Sequence, residues 1–170
     1  GNRGETIQQM GCRLKWYLDE FPVEEETVAY FCFPNYKGRY YYIDNDGKEV
    51  RGNPGNAPKH VIEWQDVACK WDATIAINWI YNTCLANGIT PRFLQTWRKI
   101  ELVESIDQTS GEDWVISPSE CLSDLAFGKG EFGNQYVRCR YRNTHDNHPN
   151  QEGQRRLADA LLETIAINNV

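Results

Sequence analysis

Two imidazoles and a carboxylate fall within four positions of Thr144-His145-Asp146-Asn147-His148-Pro149-Asn150, a polar loop that runs into the helical pattern of residues 151–167. A histidine in such a loop is held by the helix behind it, and a nearby aspartate can set its tautomer and orientation. Those are two parts of the machinery that activates a nucleophile, and the third part, the nucleophile, must come from elsewhere. The same three side chains are types that ligate metals, but they crowd one short loop with no fourth ligand beside them. The reading is therefore no metal and no cofactor. His60 reads as a surface residue at a helix start. Six cysteines, at 12, 32, 69, 84, 121 and 139, sit in apolar segments without any Cys-x-x-Cys pair. They read as buried, reduced thiols rather than as a zinc ribbon or a redox motif.

The elements that must position this loop follow from periodicity. Residues 5–20 predict an amphipathic helix, with Ile7, Met10, Leu14, Tyr17 and Leu18 at three- and four-residue steps. Thr27-Val28-Ala29-Tyr30-Phe31-Cys32-Phe33 is apolar throughout and predicts a strand covered on both faces, as in a parallel sheet. The acidic run Glu24-Glu25-Glu26 before it reads as solvated loop. An Asp46-Gly47 turn between 39–43 and 48–51 predicts a β-hairpin, and 34–59 as a whole reads as an excursion from the core layers. Residues 60–86 predict a helix, with Trp64, Ala68, Trp71, Ile75 and Trp79 forming one stripe, and Asn87-Gly88 as its stop. Most of the six Trp and nine Tyr read as core or interface mass. A strand is expected over 89–97, then loop with a short helical turn over 98–116. Ser117-Pro118-Ser119-Glu120 predicts the cap and first turn of a helix reaching Phe127. The last helix, 151–167, buries Leu157, Leu161 and Ile165. This alternation predicts an α/β fold with a mostly parallel sheet. The sheet is short of strands, and the natural place for another is ahead of Gly1.

The stretch Asp146 to Ala158, with His148-Pro149-Asn150, Gly153 and Leu157-Ala158, resembles the last conserved block of the SGNH (GDSL-type) hydrolase superfamily. The resemblance implies a single domain over 1–170, a flavodoxin-like three-layer α/β/α sandwich with a hairpin excursion, and ester or acyl hydrolysis. It makes His148 the general base and Asp146 its orienting carboxylate. Gly1-Asn2-Arg3-Gly4-Glu5-Thr6-Ile7 resembles the block that supplies an oxyanion-binding amide, with Gly4 as the better candidate for the donor and Gly1 as the second. Asn35 stands after the strand where the family places a second oxyanion donor, in Phe33-Pro34-Asn35-Tyr36 rather than Gly-x-Asn-Asp. The family spaces its acid three residues before its histidine, a position occupied here by His145; Asp146 is two before. The Gly-Asp-Ser phrase of the family's first strand does not occur, and Ser105, Ser110, Ser117, Ser119 and Ser123 all follow the third block. The resemblance thus implies a domain without its first strand and nucleophile, acting on a small ester or acylated carbohydrate once a serine is supplied. The other reading is a non-catalytic SGNH-like module for binding or assembly, in a virion or another homo-oligomer or larger assembly.

Composition narrows the classes further. With 18 basic and 24 acidic residues the formal charge is −6, which argues against a nucleic-acid surface built to neutralise phosphates. No apolar run approaches the roughly 20 residues of a spanning helix, and no secretion signal opens the chain. The expectation is a soluble protein. The 170 residues begin without Met, which suits a processed chain or part of a longer one.

Overall fold

The computed structural model describes residues 7–33, 40–43, 46–52, 58–97, 99–116, 120–129, 141 and 149–168. The chain is a mixed helix and strand structure. In order it forms α1 (Ile7–Glu20), β1 (Val28–Phe33), β2 (Tyr40–Ile43), β3 (Glu49–Gly52), α2 (Lys59–Ala86), β4 (Thr90–Gln95), a short 3-10 turn (Gly111–Asp113), α3 (Leu122–Phe127) and α4 (Gln151–Asn168).

The strand expected over 27–33 and that expected over 89–97 become a parallel pair. β1 and β4 pair with Val28 opposite Thr90 and Phe33 opposite Gln95. β4 is also flanked on its other side, where Trp114 bridges Phe93 in parallel and the Val115 amide donates to the Phe93 carbonyl at 2.8 Å. β1 therefore forms the outer edge of this small sheet among the described residues. β2 and β3 make a separate antiparallel hairpin, with Tyr40 opposite Gly52 and Gly47 at φ +76° in the turn. That positive φ is one glycine accepts at no steric cost.

Side chains alternate along a strand, so the pair feeds two cores. Phe33 and Phe93 join Ile7 and Leu14 of α1 and Ile77, Ile80 and Cys84 of α2. Phe33 and Phe93 stack with ring centroids 5.6 Å apart, and Trp114 packs 5.6 Å from Phe93. Leu94 turns the other way and joins Leu122, Ala126 and Phe127 of α3, Tyr141, and Leu157 of α4, with Cys32 packed against them. On α1, Gly11 lets the Trp79 ring of α2 approach until an added Cβ would stand 3.0 Å from it.

Four expectations need correction. The stripe on α2 is not the core face: Trp64 is 70% exposed, and Trp71, Ile75 and Trp79 are exposed too. The buried face is Ala73, Thr74, Ile77, Ile80 and Cys84, displaced around the helix. The strand predicted over 89–97 spans only Thr90–Gln95. The helix predicted from the 117–120 phrase begins instead at Leu122, with Cys121 at its N-cap. Tethers to the end of β4 accompany an extended Cys121, because Gln95 Nε2 donates to the Glu120 carbonyl and the Ser123 amide donates to the Thr96 carbonyl at 2.9 Å. Finally, Cys12 is exposed, whereas Cys84 and Cys121 are buried; the five described cysteines form no disulfide.

The 99–116 stretch is held by α2 rather than by its own propensity. Thr74 Oγ1 accepts from the Val103 amide at 3.0 Å, and Asn78 Oδ1 accepts from the Gln108 amide at 3.0 Å. Asn78 Nδ2 donates to the Ile106 carbonyl at 2.6 Å. Buried side-chain amides and hydroxyls thus satisfy loop backbone that has no ladder of its own.

Candidate functional site

In open α/β sheets ligands bind beyond the carboxyl ends of the strands; the parallel pair of this chain ends at Phe33 and Gln95. The four residues singled out by the sequence, His148, Asp146, Gly4 and Asn35, lie outside the described residues, as does His145. What the structure does place are the residues that border them. Phe33, two positions before Asn35, is fully buried at the end of β1, and its carbonyl accepts from the Thr96 amide at 2.8 Å. Ile7, three positions after Gly4, is buried in the same core as Phe33.

The segment that follows His148 is fixed most firmly. Asn150 caps α4: its Oδ1 accepts from the Gly153 amide at 2.9 Å, and its carbonyl accepts from Gln154 at 2.8 Å. An aspartate or asparagine at this position satisfies a helix amide that has no partner within the helix. The Asn150 amide itself donates to the Tyr141 carbonyl at 2.9 Å. Gly153 sits directly against that same carbonyl, so close that any Cβ would overlap it. Arg156, one turn of helix further on, donates from Nε to the Ala126 carbonyl at 2.6 Å and from Nη1 to the Tyr141 hydroxyl at 2.7 Å. Its guanidinium lies 5.2 Å from the Tyr141 ring centre and 5.8 Å from that of Phe127. α4, α3 and Tyr141 are thereby locked together, with the entry to α4 held at a set point.

Tyr141 and Arg156 were not singled out by the sequence reading. A paired Arg155-Arg156 on a helix looks like surface charge, and only the bonds from the second arginine to the Ala126 carbonyl and the Tyr141 hydroxyl show that it is turned toward protein.

Beyond Gln95 lies a second polar set. Gln95 is fully buried and bridges two backbones, accepting from the Ile100 amide and donating to the Glu120 carbonyl. Cys121 Sγ lies 3.3 Å from Ser123 Oγ and 3.1 Å from Asp124 Oδ2. Burial pushes the Cys121 thiol above its ordinary value, so it remains protonated and serves as a hydrogen-bond partner rather than as a thiolate. The Ser123 hydroxyl is also buried, at 3% exposure. This cluster wires the start of α3 to β4; the serine is inaccessible to a substrate carbonyl.

Among the described residues there is no group of three His, Cys, Asp or Glu side chains placed to hold a metal ion, and no helix is long and apolar enough to cross a membrane. Comparison of the chain with protein-family models, curated proteins and solved structures finds no match.

Proposed function

We propose that the chain is the base-bearing part of an SGNH-type serine ester hydrolase, folded as a three-layer α/β/α sandwich, with the serine supplied by a polypeptide segment outside these 170 residues. The anchoring of the segment after His148 carries this reading. Asn150 caps α4, Gly153 admits the Tyr141 carbonyl, and Leu157 enters the core behind them. The residues that make the block resemble the family are thus ones with positional work to do beside a catalytic histidine. The sandwich is supported by β4, whose Phe93 faces the core of α1 and α2 while Leu94 faces that of α3 and α4.

In this mechanism the serine Oγ bonds to the ester carbonyl carbon as His148 takes its proton, and Asp146 steadies the imidazolium. The Gly4 amide and the Asn35 side chain donate to the oxyanion. Collapse breaks the ester C–O bond, and the alcohol leaves with the proton from His148. Water, deprotonated by the same imidazole, then releases the acid and restores the serine. The substrate class is a small ester or an acylated carbohydrate. The test is to treat the longest native form of the protein with a fluorophosphonate and map the adduct by mass spectrometry. An adduct on serine, lost in His148→Ala, is expected; no serine adduct in the native form overturns the reading.

The second reading, a non-catalytic module used for binding or assembly, is favoured by the exposed Trp64, Trp71 and Trp79 on α2. Large exposed aromatics are enriched at protein contacts. Under this reading the same fluorophosphonate experiment yields no adduct, and the native protein elutes as an oligomer.

A further inference from the structure

Trp64, Val67, Trp71, Ile75 and Trp79 lie on one side of α2, within a ~120° arc at 3.6 residues per turn. All five are exposed, Trp64 at 70%. The stripe has relief. Trp64 stands near its amino-terminal end, whereas the other end opens into a groove of about 520 Å³ between α1 and α2. Gly11 and Cys12 line it from α1, and Ile75, Ala76 and Trp79 from α2. Gly11 contributes backbone only, with the Trp79 ring 3.0 Å from where a Cβ would stand. The volume falls within the ~300–1,000 Å³ of clefts that hold compact organic groups. Gln8 and Asp72 complete the lining, and a carboxylate there can accept from the N–H that a buried indole must satisfy. One face thus carries a knob and a hole of matching chemistry.

We infer that two copies of this chain pair through α2 about a two-fold axis near Trp71, each inserting Trp64 into the other's groove between α1 and α2. Along α2, Trp64 and Ile75 are separated by ~17 Å at 1.5 Å per residue. A two-fold axis midway sets the two α2 helices antiparallel. Trp71 then meets its own copy, Val67 faces Ile75, and Trp64 faces the groove beside Ile75 and Trp79. This contact closes, because both knobs and both grooves are filled at once. A head-to-tail arrangement leaves one knob and one groove open and propagates instead.

Area supports a second copy as the occupant. At ~150–250 Å² per large aromatic, the exposed fractions of Trp64, Trp71 and Trp79 amount to ~240–400 Å² on each chain. Pairing covers this twice. Val67, Ile75 and the groove walls add to it, which brings the contact toward the ~1,200 Å² where stable interfaces begin. Tryptophan is also the residue type that most often anchors such contacts when it enters a pocket on the partner. The inference rests on the assembly reading for the surface it uses, and gives that surface a partner, a symmetry and a register. An esterase can pair in the same way.

Sedimentation equilibrium of the longest native form gives the first test. A dimer is expected, and Trp64→Ala should weaken it about tenfold or more. Cys12→Arg, which fills the groove while leaving Trp64 in place, should do the same. Leu162→Ala, at a similarly exposed site on α4, should leave association unchanged. Register is read with a short bismaleimide on Trp64→Cys: a covalent dimer joined between positions 64 and 12 is expected, and it should vanish when Cys12→Ser is added. Three results overturn the inference: a monomer at submillimolar concentration, a dimer indifferent to either Trp64→Ala or Cys12→Arg, or a cross-linking pattern without the 64–12 link. The last two leave an assembly built through another surface, so they remove this interface and keep the assembly reading. Serine reactivity is read separately, and a monomer that takes a fluorophosphonate adduct removes both the interface and the assembly reading.

Discussion

The carbonyl oxygen of Tyr141 occupies the space into which any side chain at position 153 would grow, so the first turn of α4 packs directly on the backbone at Tyr141 only because residue 153 is glycine. The same carbonyl accepts the Asn150 amide. One backbone oxygen thus positions the helix that begins just after His148.

Gly153→Ala consequently runs against helix propensity. At an unobstructed helix site the change stabilises by up to ~1 kcal/mol. Here overlap with the Tyr141 carbonyl forces a backbone shift, and a loss of about 1–3 kcal/mol is expected. Thermal unfolding should show a midpoint lowered by ~2–12 °C, at roughly 2–4 °C per kcal/mol for a chain of this size. An unchanged or raised midpoint would remove the close approach as a constraint.

Arg156 uses two separate nitrogens in fixed directions, toward the Ala126 carbonyl and the Tyr141 hydroxyl, while its plane lies near two rings. Lysine offers a point charge without that fork. Arg156→Lys is expected to lose about 1–2 kcal/mol in urea unfolding, nearly as much as Arg156→Ala. Tyr141→Phe, which removes one hydroxyl acceptor, should lose about 1 kcal/mol. Full recovery of stability by lysine would show that charge alone matters at this position.

Cys84 gives the protein an alkaline limit. It is fully buried in α2, and burial pushes its thiol from the ordinary value of 9.0 up to about 11. In the unfolded chain the thiol ionises near 9, while in the folded chain it keeps its proton. The folded state therefore binds more protons between these values, and stability falls as pH rises from 9 toward 11. The slope from this group approaches ~1.4 kcal/mol per pH unit. Below pH 9 the contribution is complete and flat. Cys84→Ala lowers stability at neutral pH by leaving a small void, yet its decline between pH 9 and 11 should be shallower than that of the parent. Equal slopes would assign the alkaline loss to other groups; Cys32 and Cys121, also raised by burial, are the first to examine.

Much of the framework was legible residue by residue. The apolar run Thr27–Phe33 announced a strand, though not one covered on both faces, since Val28 and Tyr30 are exposed and only Phe33 is fully buried; the Asp46-Gly47 pair announced a hairpin, and the spacing of Leu157, Leu161 and Ile165 the inner face of α4. These are local properties: strand and helix periods and turn chemistry act over a few residues. The stripe of Trp64, Trp71 and Trp79 misled because periodicity identifies an apolar face without saying what covers it. In the folded chain the smaller face of Ala73, Ile77 and Cys84 meets the sheet instead. The Ser117 capping phrase misled for a related reason: the tether of Glu120 to Gln95, 25 residues away in sequence, outweighs a local start signal.

The candidate site divides the same way. The chemistry proposed for it, His148 with Asp146 and the donors Gly4 and Asn35, rests on the polar loop and on the resemblance to a family, and those four positions lie outside the described residues. The entry to α4 was decided only by tertiary structure. Asn150 can be recognised as a cap from sequence, but Gly153 owes its identity to a carbonyl twelve positions earlier, and Arg156 its geometry to α3. That β1 is the outer strand among the described residues likewise emerges only from pairing, because a strand's sequence does not tell how many neighbours it has. Local sequence carries propensity and reactive groups; which surfaces meet depends on long-range packing, where one close contact overrides several local preferences.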